Sequence, residues 1–258
     1  MKEEFLNNAG LSPEKKIVNK IMTGSYDLNK WLEGGYEKDI ITLLYGPPGS
    51  GKSNFALLAA CHQAKNGKKV IFIDSEGSFS IERIKQISGD IPNIILKNIL
   101  ILKPTNFHEQ KDSFFKLLKE LKNKEEVGLI VVDSMVMLYR LELAEARKKS
   151  LDEVQKINSD LANQMKALFE IARKREIPIL VTSQVYNEFL NQEDYWAGKE
   201  AGVNVVGGEL LKYWSKCIIE LQCREGKKRA IIKKHRSLPE KILNFEICNE
   251  GIRKKTFF

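Results

Sequence analysis

The chain has 258 residues, 43% of them hydrophobic and 29% charged, which is ordinary for a soluble globular protein with one sizeable core. The net charge of +8 points toward polyanionic partners and leaves open a basic protein with no nucleic-acid role. No run of about 18 uncharged apolar residues suggests a membrane helix. The opening MKEEFLNNAG lacks the apolar stretch of a signal peptide, so a cytoplasmic, non-membrane protein is expected.

Ser12 and Pro13 suit a helix cap and first helical position, predicting a helix through Lys15 to Ile21. Gly34-Gly35 then breaks the chain before a strand at Ile40–Tyr45. A helix is expected over Asn54–Lys65, ended by Asn66-Gly67. Val70–Asp74 reads as a buried parallel strand, Ser80–Ile87 as a helix and Ile94–Leu102 as a further strand. Asn106–Leu121 has helical spacing, with Glu109 three residues after the cap, and Val127–Asp133 is another buried strand. Ser150 and Glu153 form a capping-box pattern that opens the longest helix, to Arg175. Its apolar positions Leu151, Val154, Leu161, Met165, Leu168 and Ala172 share a face. Ile177–Ser183 is a strand. Beyond Lys216, short strands near 217–222, 229–234 and 242–247 are separated by turns such as Arg224–Lys227, a pattern of antiparallel pairing. The alternation predicts an α/β fold: a mostly parallel twisted sheet flanked by helices, with antiparallel C-terminal strands. Residues 1–22 read as a short lead-in and 23–258 as one core. Cys61, Cys217, Cys223 and Cys248 form no C-x-x-C pair, and His62, His108 and His235 supply no zinc-like spacing, so reduced thiols are expected.

Gly46-Pro47-Pro48-Gly49-Ser50-Gly51-Lys52-Ser53 fits G-x-x-x-x-G-K-[ST] between a strand and a helix. Glycines let successive backbone N–H groups face phosphate oxygens, and the following helix adds its positive end. Lys52 is expected to reach the β- and γ-phosphates and the Ser53 hydroxyl to ligate Mg²⁺. Asp133, ending a neighbouring strand, is the candidate to orient magnesium through water, or else caps a turn. No Asn-Lys pair has Asp two residues later, which favours ATP over GTP. Glu76, just past a strand expected beside the P-loop strand, is placed to accept a proton from an attacking water. Gln184 follows the strand ILVTS, where an amide can contact a γ-phosphate or simply close the strand.

Together these pieces resemble the RecA superfamily of recombinases, from about Thr23 to Ile252. The motifs are GPPGSGKS, FIDSEGSFSIER (Phe72–Arg83), LIVVDS (Leu129–Ser134), VTSQV (Val181–Val185) and VGGELLKYWS (Val206–Ser215). They are more similar to the archaeal and eukaryotic strand-exchange branch than to the bacterial one. The resemblance implies a RecA-like P-loop ATPase core. It makes Glu76 the water-activating carboxylate, stacks Arg83 on adenine, and lets Gln184 link the γ-phosphate to a DNA-facing loop. Lys234 and Arg236 match a K-x-[KR] pair that reaches a neighbour's γ-phosphate in bacterial and hexameric relatives, though the main-line archaeal recombinases lack it.

Three departures qualify the resemblance. About 22 residues before the core leave no room for a separate N-terminal DNA-binding domain, and Phe5 and Ala9 are one residue too far apart for a Phe-x-x-Ala polymerisation plug. The stretch Arg140–Lys149 lacks glycine and can continue as helix, keeping Arg140, Arg147, Lys148 and Lys149 within reach of phosphates. Residues 185–206 hold Glu188, Glu193, Asp194 and Glu200 against Lys199 alone, an acidity that repels DNA. Tyr186, Phe189, Tyr195 and Trp196 there can stack on bases or pack locally. Positive charge gathers instead at Arg224–Arg236, with seven cations against Glu225, as a phosphate-binding surface or a basic edge that discourages strand pairing.

The expected function is an ATP-binding accessory protein of DNA repair and homologous recombination. ATP and Mg²⁺ would serve as a switch, with weak DNA-dependent hydrolysis. DNA, a RadA-type recombinase and further copies of the chain are the expected partners. The alternatives are a full ATP-dependent strand-exchange enzyme and a KaiC-like ring-forming signalling ATPase that does not bind DNA.

Overall fold

The apolar runs read from the sequence become the central strands of one sheet. A computed structural model describes residues 19–89, 91–122, 126–187, 203–205 and 207–255. In chain order the elements are β1 (Lys20–Ile21), α1 (Tyr26–Trp31), β2 (Tyr36–Glu37), β3 (Ile41–Gly46), α2 (Lys52–Lys65) and β4 (Lys69–Asp74). Then come α3 (Ile81–Ser88), α4 (Pro92–Lys97), β5 (Ile99–Leu102), α5 (Phe107–Glu120), β6 (Val127–Asp133), α6 (Met137–Lys149) and α7 (Leu151–Arg175). The chain closes with β7 (Ile179–Asn187), β8 (Val203–Val205), α8 (Gly208–Trp214), β9 (Cys217–Arg224), β10 (Lys227–Lys234), β11 (Ile242–Cys248) and β12 (Gly251–Lys254).

The main sheet runs β12-β11-β10-β9-β3-β7-β6-β4-β5, with β8 antiparallel against β7. Its centre is parallel and β9 to β12 form an antiparallel meander. Alternation splits each strand between two cores. Leu44, Val70 and Phe72 join Phe55 and Leu58 of α2 on one face, whereas Leu43, Ile71 and Ile73 join Leu161, Met165 and Leu168 of α7 on the other. The parallel strands are covered on both sides, which explains their near-continuous apolar sequence. No helix among the described residues is long and apolar enough to cross a membrane.

The expected caps form. Ser80, Asn106 and Ser150 accept the N–H groups of Arg83, Glu109 and Glu153 at 3.1, 2.9 and 3.2 Å. Arg140–Lys149 is helical, within α6.

Four expectations change. Lys20–Ile21 is a strand paired with Tyr36–Glu37 rather than a helix end, because that pairing buries Ile21; Ser12–Val18 lie outside the described residues. The short helix α1 was not foreseen; Ser25 accepts the Leu28 N–H at 3.3 Å and Leu28 and Trp31 are buried. The run Ile94–Leu102 is not one strand. Pro92 starts a helical turn in which Ile95 is buried and Ile94 is 53% exposed, and the strand begins only at Ile99. A short apolar run does not distinguish these states by periodicity. The C-terminal meander has a fourth strand, β12.

Candidate nucleotide-binding site

β3 delivers the P-loop: its residues are all buried, and α2 begins six residues beyond its end, at Lys52. Glycine is required at Gly46, where a Cβ would stand 2.1 Å from the Leu221 carbonyl oxygen of β9. Gly51 is the α2 N-cap at φ 110°, so no side chain caps the helix, and no acidic residue lies in its first turn. The leading N–H groups of α2 are therefore available to an anion. Ser50 Oγ is buried without a hydrogen-bond partner among the described residues, a second unmet polar group in the same loop. These features fit a polyphosphate.

Lys52 is 6% exposed, and its Nζ donates to the carbonyls of Gly46 at 2.9 Å and Pro47 at 3.0 Å. Burial lowers its pKa, while the charges of Glu76 and Asp133 act in the opposite direction. The ammonium is thus held by loop carbonyls that a phosphate oxygen can replace.

The strand ends carry the remaining groups. Gln184 of β7 lies beside Gly46 in register, and Asp133 of β6 beside Asp74 of β4. β7 and β6 separate the β4 strand from β3, so Glu76 does not follow a neighbour of the P-loop strand, and Asp133 is one strand further out than expected. Parallel crossovers, not adjacency in sequence, set this order. Glu76 and Gln184, read separately from the sequence, meet here: Gln184 Nε2 donates to Glu76 Oε1 at 3.1 Å. The backbone N–H of Glu76 donates to the Asp133 carbonyl at 3.3 Å, tying the two strand ends together.

Asp133 is fully buried. The Ser78 hydroxyl donates to its Oδ2 at 2.5 Å and the Thr182 hydroxyl donates to its Oδ1. Asp74 accepts the N–H groups of Ser78 at 2.9 Å and Phe79 at 3.2 Å, which shapes the turn carrying Glu76. Sequence reasoning missed Ser78 and Thr182. Their signal is a hydroxyl four residues after Asp74 and a lone threonine inside a buried strand. Ser53 is half-buried at the start of α2. A hydroxyl and a single carboxylate are a donor set that suits Mg²⁺, which keeps waters and binds phosphates.

The other named residues are engaged within the chain. Arg83 donates to Asn54 Oδ1 at 2.7 Å, Gln86 Oε1 at 2.9 Å, and the carbonyls of Cys248 at 2.8 Å, Asn249 at 3.1 Å and Gly251 at 3.4 Å. It clips α2 to the β11–β12 turn. Lys234 Nζ donates to the carbonyls of Lys212 at 3.2 Å and Ser215 at 3.0 Å, at the C-terminal end of α8. Arg236 pairs with Glu37 at 2.7 Å and grips both oxygens of Asp39, holding the Asp39 carboxyl below its ordinary pKa. Lys234 pairs with Ile218, which in turn pairs with Leu43, so it lies toward the end of β3 away from Gly46. Lys228 was not anticipated at this site: its Nζ donates to the Gly49 carbonyl of the P-loop. Most of the acidic stretch after Gln184, including Glu188, Phe189, Glu193, Asp194, Tyr195, Trp196, Lys199 and Glu200, lies outside the described residues, as does the Tyr186 side chain.

Comparison with known proteins gives one answer. The Rad51 family model matches residues 14–255. DNA repair and recombination protein RadB of Methanococcus maripaludis strain C7 is 40% identical over 87% of this chain and 96% of its own length. RadB of Methanocaldococcus jannaschii is 39% identical over 87% of this chain and 98% of its own. The crystal structure of a RadB recombinase superposes with a TM-score of 0.70 at 30% identity, covering 91% of this chain and 99% of that one. The P-loop, the strand-end carboxylates and these matches agree, and the chain belongs to the Rad51 family, among the RadB proteins.

Proposed function

We propose that the chain is an ATP-binding accessory protein of DNA repair and homologous recombination, using ATP·Mg²⁺ as a switch with slow hydrolysis. The observation that carries this reading is the Gln184–Glu76 hydrogen bond at the end of the sheet that also bears Lys52 and Asp133. Lys52 leaves the Gly46 and Pro47 carbonyls for the β- and γ-phosphates, and the first N–H groups of α2 bind the same oxygens. The Ser53 hydroxyl and the Asp133 carboxylate would hold magnesium, which when bound would neutralise charge on the phosphates. Ser78 and Thr182 fix the direction of the Asp133 carboxylate. Glu76 takes the proton of the attacking water, and Gln184 holds Glu76 in place until the γ-phosphate arrives. When Gln184 exchanges Glu76 for the γ-phosphate, the strand leading into residues 188–202 is biased with it. Arg83, its edge fixed by its carbonyl and amide partners, offers a guanidinium face to adenine. In an assembly, Lys234 and Arg236 reach a neighbour's γ-phosphate, which requires Arg236 to leave Glu37 and Asp39.

The names of the relatives support a role in DNA repair and recombination. The four carboxylates against one lysine in residues 185–206 favour an accessory role over unaided strand exchange, because that segment repels phosphates. A RadA-type recombinase is the proposed protein partner. The test is oligonucleotide affinity with ATP·Mg²⁺ and with ADP at several salt concentrations, beside a D-loop assay. The reading expects nucleotide-dependent, steeply salt-sensitive binding and little D-loop formation. Robust unaided strand exchange would identify a full recombinase, and absence of DNA binding a ring-forming signalling ATPase.

A further inference from the structure

Among the cations of Arg224–Arg236, those of the β9–β10 hairpin are joined by a two-residue turn at Glu225 and Gly226, with φ of 50° and 74°. β10 is hydrogen-bonded to β9 on one side and β11 on the other, so its cations guard no open edge; the edge strand here is β12. Arg224 stands directly opposite Lys227, and Arg229 lies between Gln222 and Asn244. Like charges placed opposite each other repel, and an anion seated between them relieves that repulsion. Strand alternation puts these five side chains on one face, where they line a cavity of about 390 Å³ that Glu225 of the turn also lines. Gln222 Oε1 accepts from Arg229 Nε at 2.5 Å, and neither Arg224 nor Arg229 has a carboxylate partner among the described residues.

We propose that this cavity is a phosphodiester site that takes the backbone of single-stranded nucleic acid. Gln222 Nε2 donates to Glu220 Oε1 at 2.7 Å, so that amide is engaged within the sheet and braces Arg229. Two guanidinium forks match phosphate oxygens, and the Asn244 amide supplies a donor and, for sugar or base N–H and O–H groups, an acceptor that a carboxylate-rich protein segment would leave unused. On the opposite strand face, Lys228 of the same strand reaches the Gly49 carbonyl of the P-loop. The inference rests on the DNA-binding reading and gives it a location on the β9–β10 hairpin.

The test is fluorescence anisotropy of a labelled oligo(dT) at increasing KCl. Each single-strand phosphate contact contributes about 0.7 to the slope of log affinity against log salt, so Arg224→Ala with Arg229→Ala lowers the slope by about 1.4. Arg224→Lys with Arg229→Lys restores it. Lys30→Ala with Lys97→Ala, an equal charge loss at exposed positions of α1 and α4, leaves it at the wild-type value. An unchanged slope in the double alanine variant overturns the site while the DNA-binding reading stands. So does an equal drop in the Lys30 and Lys97 variant. Poly-glutamate binding more tightly than oligo(dT) would assign the cavity to an acidic protein and overturn it too. A wild-type protein that binds no oligonucleotide at any salt overturns both readings.

Discussion

Glu76→Gln separates nucleotide binding from turnover. The carboxylate accepts one hydrogen bond from Gln184 at 3.1 Å, and glutamine keeps an oxygen able to accept it. The ground-state cost is therefore the difference between a charge-assisted and a neutral hydrogen bond, about 1 kcal/mol. ATP affinity should change by no more than about fivefold. A positioned general base contributes about 10²–10⁴ in rate, equivalent to roughly 2.7–5.5 kcal/mol of barrier. The variant should thus hold ATP·Mg²⁺ nearly as well as the parent and release phosphate at least about a hundredfold more slowly. The assay pairs equilibrium binding of a fluorescent ATP analogue with phosphate release at saturating ATP, with and without oligonucleotide. Unchanged turnover would remove Glu76 as the base. Equal loss of binding and turnover would make it a structural residue of the turn.

Other consequences are open to simpler measurements. Thr182→Val strips one hydroxyl from the fully buried Asp133 and should lower unfolding free energy by about 1.5–3 kcal/mol in a denaturant titration; an unmoved midpoint contradicts the described support. Arg236 holds the Asp39 carboxyl below its ordinary pKa, so the pair stabilises fully above the ordinary carboxylate range and loses that effect as pH falls through the lowered value. Arg236→Ala should therefore be less stable at neutral pH and shallower in acid unfolding; parallel pH curves would deny the pairing. In mixed oligomers that supply intact Arg236, turnover of the same variant should recover, and failure to recover confines Arg236 to its own subunit. Burial pushes the Cys61 and Cys217 thiols up to about 12, so alkylation at pH 8 followed by peptide mass spectrometry should label Cys223 and Cys248 first.

What could be read from the sequence was local. The P-loop is one continuous segment whose spacing fixes its backbone, and the caps at Ser80, Asn106 and Ser150 act three residues away. Glu76, Asp133 and Gln184 were legible because each ends an apolar strand run. Their mutual placement was not, since strand order in a parallel sheet depends on crossovers and puts β7, not β4, beside the P-loop strand. Hydrogen bonds spanning 49 and 55 residues, from Thr182 and Ser78 to Asp133, leave no periodic trace. The ion pair of Arg236 with Asp39, 197 residues apart, is hidden for the same reason, and the basic motif around it suggested only an outward role. Pro92–Lys97 failed differently: six residues are too few for period to separate helix from strand.

Nucleotide binding depends most on Lys52 serving phosphate rather than only closing its own loop. Calorimetric titration of ATP·Mg²⁺ into the protein and into Lys52→Ala tests this directly. Loss of charge-assisted contacts worth about 1.5–3 kcal/mol predicts an affinity lower by roughly 10- to 150-fold in the variant. Equal affinity in the two proteins would contradict the nucleotide site itself.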